Sequence, residues 1–174
     1  MDLIVRPDGS AEWNGRRLRC ALGRSGVIAA ADKREGDGAT PAARMPLRRV
    51  LYRADRGAAP ATALPLDPIG RDDGWCDDPD DTAYNRPVRL PCTAHYERLW
   101  RDDAVYDLVA VLGWNDAPVV TGCGSAIFLH LARDGADGGF APTAGCVALA
   151  RDDLLTVLRE ARPGDAVRVM EKAG

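Results

Sequence analysis

The chain has 174 residues, 46% of them hydrophobic, and a formal net charge of −3 at pH 7. This length and apolar content predict one globular domain, residues 1–174, with a hydrophobic core of its own. Because there is no excess of basic residues, the charge argues against a nucleic-acid partner. The chain also lacks an apolar run with the length of a membrane span.

The five cysteines are odd in number, and no two of them are spaced as Cys-x-x-Cys. This argues against a disulfide framework or a zinc site, so we expect free thiols. We expect no metal and no cofactor, since no phosphate-binding or dinucleotide-binding glycine fingerprint is present. Residues 1–7 lack the features of a signal peptide, which leaves three alternatives: a cytosolic chain, export by another route, or a trimmed start.

The first half of the chain predicts strands and turns. Residues 1–31 are expected to form N-terminal strands, with a hairpin turn at Asn14-Gly15, and a strand is predicted at 45–53. Residues 57–87 are dominated by proline, aspartate and glycine, which predicts a long irregular loop near the functional site. A short edge strand at 86–90 and a short helix at 94–101 are expected to follow.

The second half of the chain carries the strongest structural signals. Residues 106–114 and 125–132 are nearly continuous apolar runs, as expected of central strands. Residues 152–161 have the apolar stripe of a helix, and residues 166–170 predict a last strand.

The most informative pairing is His130, at the end of an apolar run, with Cys146, in the run Pro-Thr-Ala-Gly-Cys-Val-Ala-Leu. A thiol nucleophile needs a base and backbone donors. Gly145 permits close approach of a substrate, and the amides of Gly145 and Cys146 are candidate oxyanion donors. A helix after Cys146 is expected to lower the thiol pKa through its dipole. The alternative is that the cysteine and the histidine only fill the core.

Other candidates are weaker. Cys76 lies in an acidic run, and the surrounding carboxylates are expected to raise its pKa. The remaining cysteines are expected to pack, and His95 to lie on the surface. The acidic residues between Asp72 and Asp81 do not have EF-hand spacing, so we expect a solvated loop, or else a loop that holds a cationic substrate amine.

The run from His130 to Cys146 resembles the L,D-transpeptidase (YkuD-type) catalytic domain. That family carries a histidine at a strand end, then Ser/Thr-His-Gly-Cys, an apolar residue and Arg or Asn; here residues 143–148 are Thr-Ala-Gly-Cys-Val-Ala. Segments 33–45, 73–79 and 84–88 also resemble the family, so the likeness spans about residues 33–170.

The resemblance implies a mostly β fold with a few short helices, a β-sandwich or barrel in which a helix follows the nucleophile. It implies that His130 takes the proton of Cys146, that the thiolate attacks a stem-peptide carbonyl, and that a thioester acyl-enzyme forms. Carbonyls near Leu131 are expected to orient His130. The candidate substrate contacts are Thr143, Ala144, Trp75, Tyr84, Arg86, Trp114 and Asn115.

Two departures from the family motif restrict the class of substrate. Ala144 stands where the family has histidine, and Ala148 where it has Arg or Asn. A compact branch without the motif histidine is similar to enzymes that join stems through L-Ala and meso-diaminopimelate, a 1,3 link in place of the 3,3 link. The partners implied are peptidoglycan stem peptides, the compartment is the periplasm or cell envelope, and a monomer is expected. An L,D-carboxypeptidase or endopeptidase, with a cytosolic variant, and a non-catalytic wall-binding module are the alternatives.

Overall fold

The structure is a computed structural model that describes residues 1–136 and 138–171. Residues 137 and 172–174 of the expected domain therefore lie outside the described residues. The strands are β1 (Asp2–Val5), β2 (Ser10–Trp13), β3 (Arg16–Ala21), β4 (Val27–Ala29), β5 (Thr40–Ala42), β6 (Arg44–Tyr52), β7 (Leu66–Pro68), β8 (Asp73–Cys76), β9 (Pro87–Arg89), β10 (Tyr96–Arg98), β11 (Leu108–Leu112), β12 (Phe128–Leu131), β13 (Val147–Leu149) and β14 (Ala166–Val169). The helices are a 3-10 turn at Ala30–Asp32 and α1 (Arg151–Glu160).

Eight strands close into a barrel in the order β11-β12-β13-β3-β2-β1-β14-β6, and β6 pairs again with β11. The long strand β6 makes this closure possible, since residues 44–46 pair with β14 and residues 47–52 pair with β11. A small antiparallel sheet, β10-β8-β9, stands beside the barrel. The expected mostly β fold with a barrel is thus confirmed.

The main core lies inside the barrel and under α1. The apolar face of the helix contributes Leu154, Val157 and Leu158 to it, all fully buried. Burying a side chain of this kind stabilises the fold by roughly 1.5–3 kcal/mol. In β12 and β13, every second residue faces this core, whereas Phe128 of β12 faces a second cluster beneath the small sheet. This alternation decides which side chains can reach a site.

Most of the predicted elements are confirmed. The Asn14-Gly15 turn has positive φ at both residues, 48° and 77°, and joins β2 to β3. The predicted strands correspond to β6, β9, β11, β12 and β14, and the predicted helix to α1.

Two predictions were wrong. Residues 94–101 contain β10 and not a helix, because Tyr96 and Glu97 pair with Cys76 and Trp75 of β8. Such distant pairing overrides local preference. Residues 57–87 are also not wholly irregular, since they contain β7 and β8.

Candidate active site

A cavity of about 350 Å³ opens where β12 and β13 lie side by side, and we call it the thiol cavity. Its lining includes Cys146, His130, Gly145, Thr143 and Ala144. The structure therefore brings both candidate catalytic side chains, and the two motif residues predicted to contact substrate, to one place.

Strand register explains why Cys146 and His130 meet. The strands β12 and β13 run parallel, with His130 opposite Ala148. Because side chains alternate along a strand, His130 lies on the same face as Phe128, and Cys146 on the same face as Ala148. Cys146 and Phe128 pack in the cluster beneath the small sheet. Cys146 and His130 are each only 6% exposed.

The Cys146 sulfur is held by backbone groups of the neighbouring segment. Its S–H donates to the carbonyl oxygen of Ala126 at 3.3 Å, and its sulfur accepts the Phe128 N–H at 3.3 Å. Ala126 adopts a φ of 51°, a left-handed conformation that costs an alanine roughly 1–2 kcal/mol. The backbone is thus strained at the residue that accepts the thiol proton.

The expectation of a lowered thiol pKa was wrong. Burial, followed by the charge of Glu97, raises the pKa of Cys146 to about 12, although the Phe128 N–H, Lys33 and Tyr106 act in the opposite direction. The three residues of β13 and Ala150 separate Cys146 from α1. The field of a helix terminus fades within its first turn, so the helix does not offset the burial.

His130 is a neutral imidazole with one tautomer. Its Nδ1 lies 2.9 Å from the Leu131 carbonyl oxygen, which can only accept, so Nδ1 carries the hydrogen and Nε2 keeps its lone pair. Burial lowers the pKa of His130 to about 4. The orientation matches the expected role of a carbonyl near Leu131. At rest the pair is therefore a thiol and an imidazole, not an ion pair.

Thr143 and Gly145 shape the turn before Cys146. The Thr143 hydroxyl donates to the Cys146 carbonyl at 2.7 Å and accepts the Gly145 N–H at 3.1 Å. Gly145 has a φ of 146°, and a Cβ there would lie 3.0 Å from the Ala39 oxygen. The Gly145 amide, expected to hold an oxyanion, is therefore already engaged. Among the described residues, the Cys146 N–H has no hydrogen-bond acceptor.

The thiol cavity carries charges of both signs. Lys33 is 3% exposed and pairs with Asp37 at 2.5 Å. The side chains of Arg24 and Arg133, by contrast, line the cavity without a salt bridge within residues 1–136 and 138–171. The acidic lining residues are Glu35, Asp77 and Glu97. The cavity thus offers guanidinium groups and carboxylates to a ligand of mixed charge.

Five expected substrate contacts lie away from the thiol cavity. Three of them, Trp75, Arg86 and Trp114, line a second cavity of about 620 Å³, which we call the indole cavity. The Tyr84 hydroxyl donates to Glu35 at 2.5 Å, and Asn115 bonds backbone groups of its own loop. Neither Tyr84 nor Asn115 lines either of these cavities. Their expected contact with substrate stays a prediction.

Asn85, which the sequence analysis did not single out, connects the two cavities. Its Oδ1 accepts the Trp75 Nε1–H at 3.0 Å and the Ala126 N–H at 3.1 Å. Its Nδ2 donates to the carbonyl oxygens of Trp114 and Asn115. Asn85 is 5% exposed, and it holds the strained residue whose carbonyl receives the thiol hydrogen.

The weaker candidates have other roles. Cys76 is fully buried, and burial more than the nearby carboxylates raises its pKa. All five cysteines are free. His95 lies on the surface, 79% exposed, beside Asp77. Several acidic-run carboxylates cap turns or pair with arginine, and the described residues contain no group of side chains arranged to bind a metal.

Two residues at the sulfur were missed. Tyr106 packs in the cluster that contains Cys146, and its hydroxyl donates to Glu97 at 2.5 Å. The sequence placed Tyr106 in a central strand and Glu97 in a helix. No local pattern could have joined them to Cys146, because the small sheet beside the barrel makes the connection.

Fold and cavity together define a class: a mostly β domain that presents a cysteine thiol and a neutral imidazole to one cavity. Residues 3–169 match the model of the YkuD family, described as the L,D-transpeptidase catalytic domain, and the chain belongs to this family. The family consists of cysteine-based enzymes that act on peptidoglycan peptides. No curated protein and no solved structure matches the chain. In the part of the chain that the structure describes, no helix is long and apolar enough to cross a bilayer.

Proposed function

We propose that the protein is a peptidoglycan L,D-transpeptidase that forms stem-peptide cross-links through a thioester on Cys146, and that it works in the cell envelope. The observation that carries the proposal is the joint exposure of Cys146 and a neutral His130 to one charged cavity. Membership in a family of cysteine-based enzymes that act on peptidoglycan peptides supports the proposal.

The acylation step follows from the protonation states. Since the thiol pKa is about 12 and the imidazole pKa about 4, a resting ion pair is not populated. The proton therefore moves to His130 Nε2 while the sulfur attacks the stem-peptide carbonyl carbon. The Cys146 N–H is the donor left for the oxygen that gains charge. The imidazolium then gives its proton to the leaving amine, and the thioester remains.

The second step reverses the first. The side-chain amine of a diaminopimelate residue enters, loses a proton to His130 and attacks the thioester carbonyl. The sulfur leaves and recovers the proton. The products are a new amide bond and the free thiol, so atoms and charge balance. Water in place of the amine gives hydrolysis, the alternative outcome.

The cavity lining suits such a substrate. We assign Arg24 and Arg133 to the carboxylates of the stem peptides, because their guanidinium groups have no salt-bridge partner among the described residues. Glu35 and Asp77 are suited to the diaminopimelate ammonium. The small residues Ala144 and Ala148 line the same cavity and leave room beside His130, which favours the 1,3 link.

The test is incubation with purified muropeptides, followed by mass spectrometry of the products. Cross-linked dimers with L-Ala joined to diaminopimelate support the full proposal, and 3,3-linked dimers support transfer but overturn the 1,3 assignment. Shortened monomers alone would make the protein a hydrolase. Cys146→Ala should abolish every product, and Cys92→Ala, which changes a cysteine that lines neither cavity, should leave them unchanged. Turnover by Cys146→Ala would refute the mechanism.

A further inference from the structure

The Tyr106 ring fills the space next to both candidate catalytic residues. It is 4% exposed and meets His130 edge-on, with ring centroids 5.3 Å apart and planes at 72°. It meets Phe128 in the same way, at 5.8 Å and 82°. Tyr106 and Cys146 pack in the same cluster and line the same cavity. The Tyr106 side chain therefore lies beside both the thiol and the imidazole.

The same phenol is tied to Glu97. Its O–H donates to the Glu97 carboxylate, with 2.5 Å between the oxygens. Glu97 lies on β10, where it pairs with Trp75 of β8, so the small sheet presents this carboxyl group to the thiol cavity. Burial raises the pKa of Glu97 and so favours its neutral form.

One phenol has one hydrogen, and two neighbours compete for it. While Cys146 is a thiol, its S–H donates a hydrogen bond to the Ala126 oxygen, and the phenol O–H donates to Glu97. A thiolate, by contrast, needs a hydrogen-bond donor. An ionised Glu97 opposes thiolate formation in two ways, since it keeps the phenol O–H as its own donor and its negative charge raises the thiol pKa. A protonated Glu97 removes both obstacles, because it can donate to the phenol oxygen and release the phenol O–H toward sulfur.

We propose that Tyr106 is a catalytic residue that donates its O–H to the Cys146 sulfur as negative charge forms there, and that Glu97 is the positioning residue whose protonation turns that O–H away from the carboxyl group. The roles rest on the proposed function, in which Cys146 is the nucleophile. The rotation of the phenol O–H transfers no proton: the thiol proton goes to His130, and Tyr106 and the protonated Glu97 each keep theirs.

Other charged groups act on Glu97, Tyr106 and Cys146 from several sides. The Arg101 guanidinium lies 5.2 Å from the Tyr106 ring centroid and is paired with Asp103. Lys33 favours the thiolate, whereas Asp77 and Glu35 raise the pKa of Glu97 further. These groups stay fixed in the variants below, so they do not confuse the comparison.

The experiment measures the rate of Cys146 alkylation by iodoacetamide against pH, with the modified peptide quantified by mass spectrometry. It needs no peptidoglycan, so it can succeed or fail independently of the proposed function. Tyr106→Phe keeps the ring contacts and removes only the O–H, and it should slow alkylation about tenfold, the effect of about one pKa unit. Tyr96→Phe, on the same strand as Glu97, is the matched control and should not change the rate.

Glu97→Gln distinguishes positioning from packing. The amide has the size of the acid, carries no charge and can donate to the phenol oxygen at every pH. We expect alkylation several times faster than in the wild type, and loss of the inflection that Glu97 ionisation imposes on the wild-type profile as pH rises through its raised pKa.

Equal rates for Tyr106→Phe and the wild type would overturn the catalytic assignment. A Glu97→Gln variant that slows as Tyr106→Phe does would overturn the positioning assignment. If Tyr106→Phe does not fold, as judged by thermal unfolding, the wild-type inflection and its loss in Glu97→Gln still decide, since a packing role moves neither.

Discussion

The thiol cavity and the indole cavity share the side chain of Ile127 but differ in chemistry. The indole cavity is the larger, about 620 Å³ against about 350 Å³, and its lining includes the aromatic side chains of Trp75, Trp114 and Phe128. Three of its arginines are already paired, Arg48 with Asp116, Arg49 with Asp67 and Arg89 with Asp73. The thiol cavity has two guanidinium groups without a salt bridge among the described residues, a neutral imidazole and a thiol. Reactive groups and unmatched charge, more than volume, identify the candidate site.

The largest expected effect is a loss of kcat when the thiol cavity, but not the indole cavity, is altered. His130→Gln removes the base but keeps a side chain of similar length, and should lower kcat about 10²–10⁴-fold. Arg86→Gln, in the indole cavity, should leave kcat unchanged. The measurement is the initial rate of muropeptide cross-linking. If the histidine variant keeps more than a tenth of the wild-type rate, another group is the base.

Asn85→Ala tests the connection between the cavities. It leaves the Trp75 and Ala126 donors and two backbone acceptors without partners, so we expect a loss of about 3–4 kcal/mol in the free energy of unfolding. Urea denaturation measures this. Asn85 has a φ of 55° and Asn14, at an exposed turn, a φ of 48°, so Asn14→Ala measures the cost of this backbone conformation without the buried hydrogen bonds. Equal losses in the two variants would mean that the hydrogen bonds contribute little.

The pH dependence of stability tests the protonation state of His130. Its pKa is about 4 in the folded protein against an ordinary 6.5, so between these values the unfolded chain binds the proton and the folded protein does not. This contribution to stability is present above pH 6.5 and is lost as pH falls toward 4, by about 3 kcal/mol.

Denaturation curves at several pH values should show that His130→Gln loses less stability on acidification than the wild type. Paired carboxylates titrate equally in both proteins and cancel from the difference. Parallel curves would mean that His130 is not held neutral, and the tautomer argument would fail with it.

The smallest effect concerns the two cavity arginines that have no salt bridge within the described part of the chain. Arg24→Gln and Arg133→Gln should each raise KM for stem peptides about tenfold, since each removes one charge-assisted contact. Arg89→Gln, whose guanidinium is paired with Asp73 in the indole cavity, is the matched control and should change KM less than twofold. Equal values in the three variants would place the substrate elsewhere.

Much of the fold was predictable because its signals are local. Asn14-Gly15 specifies a hairpin, the apolar runs become β11 and β12, and the apolar stripe becomes α1. The segment 94–101 was not predictable, because β10 exists only through pairing with β8. The motif residues likewise line the thiol cavity. The candidate substrate contacts outside the motif do not line it, namely Trp75, Tyr84, Arg86, Trp114 and Asn115.

The sequence by itself determined the family, the choice of Cys146 and His130 as the candidate pair, and the glycine before the cysteine, because each depends on residues near each other in the chain. Only the tertiary structure decided the protonation states and the neighbours of the sulfur. Burial sets the two pKa values, and burial is a property of the packed molecule. Glu97, Tyr106 and Asn85 reach the site across a second sheet, a proximity that chain order does not encode.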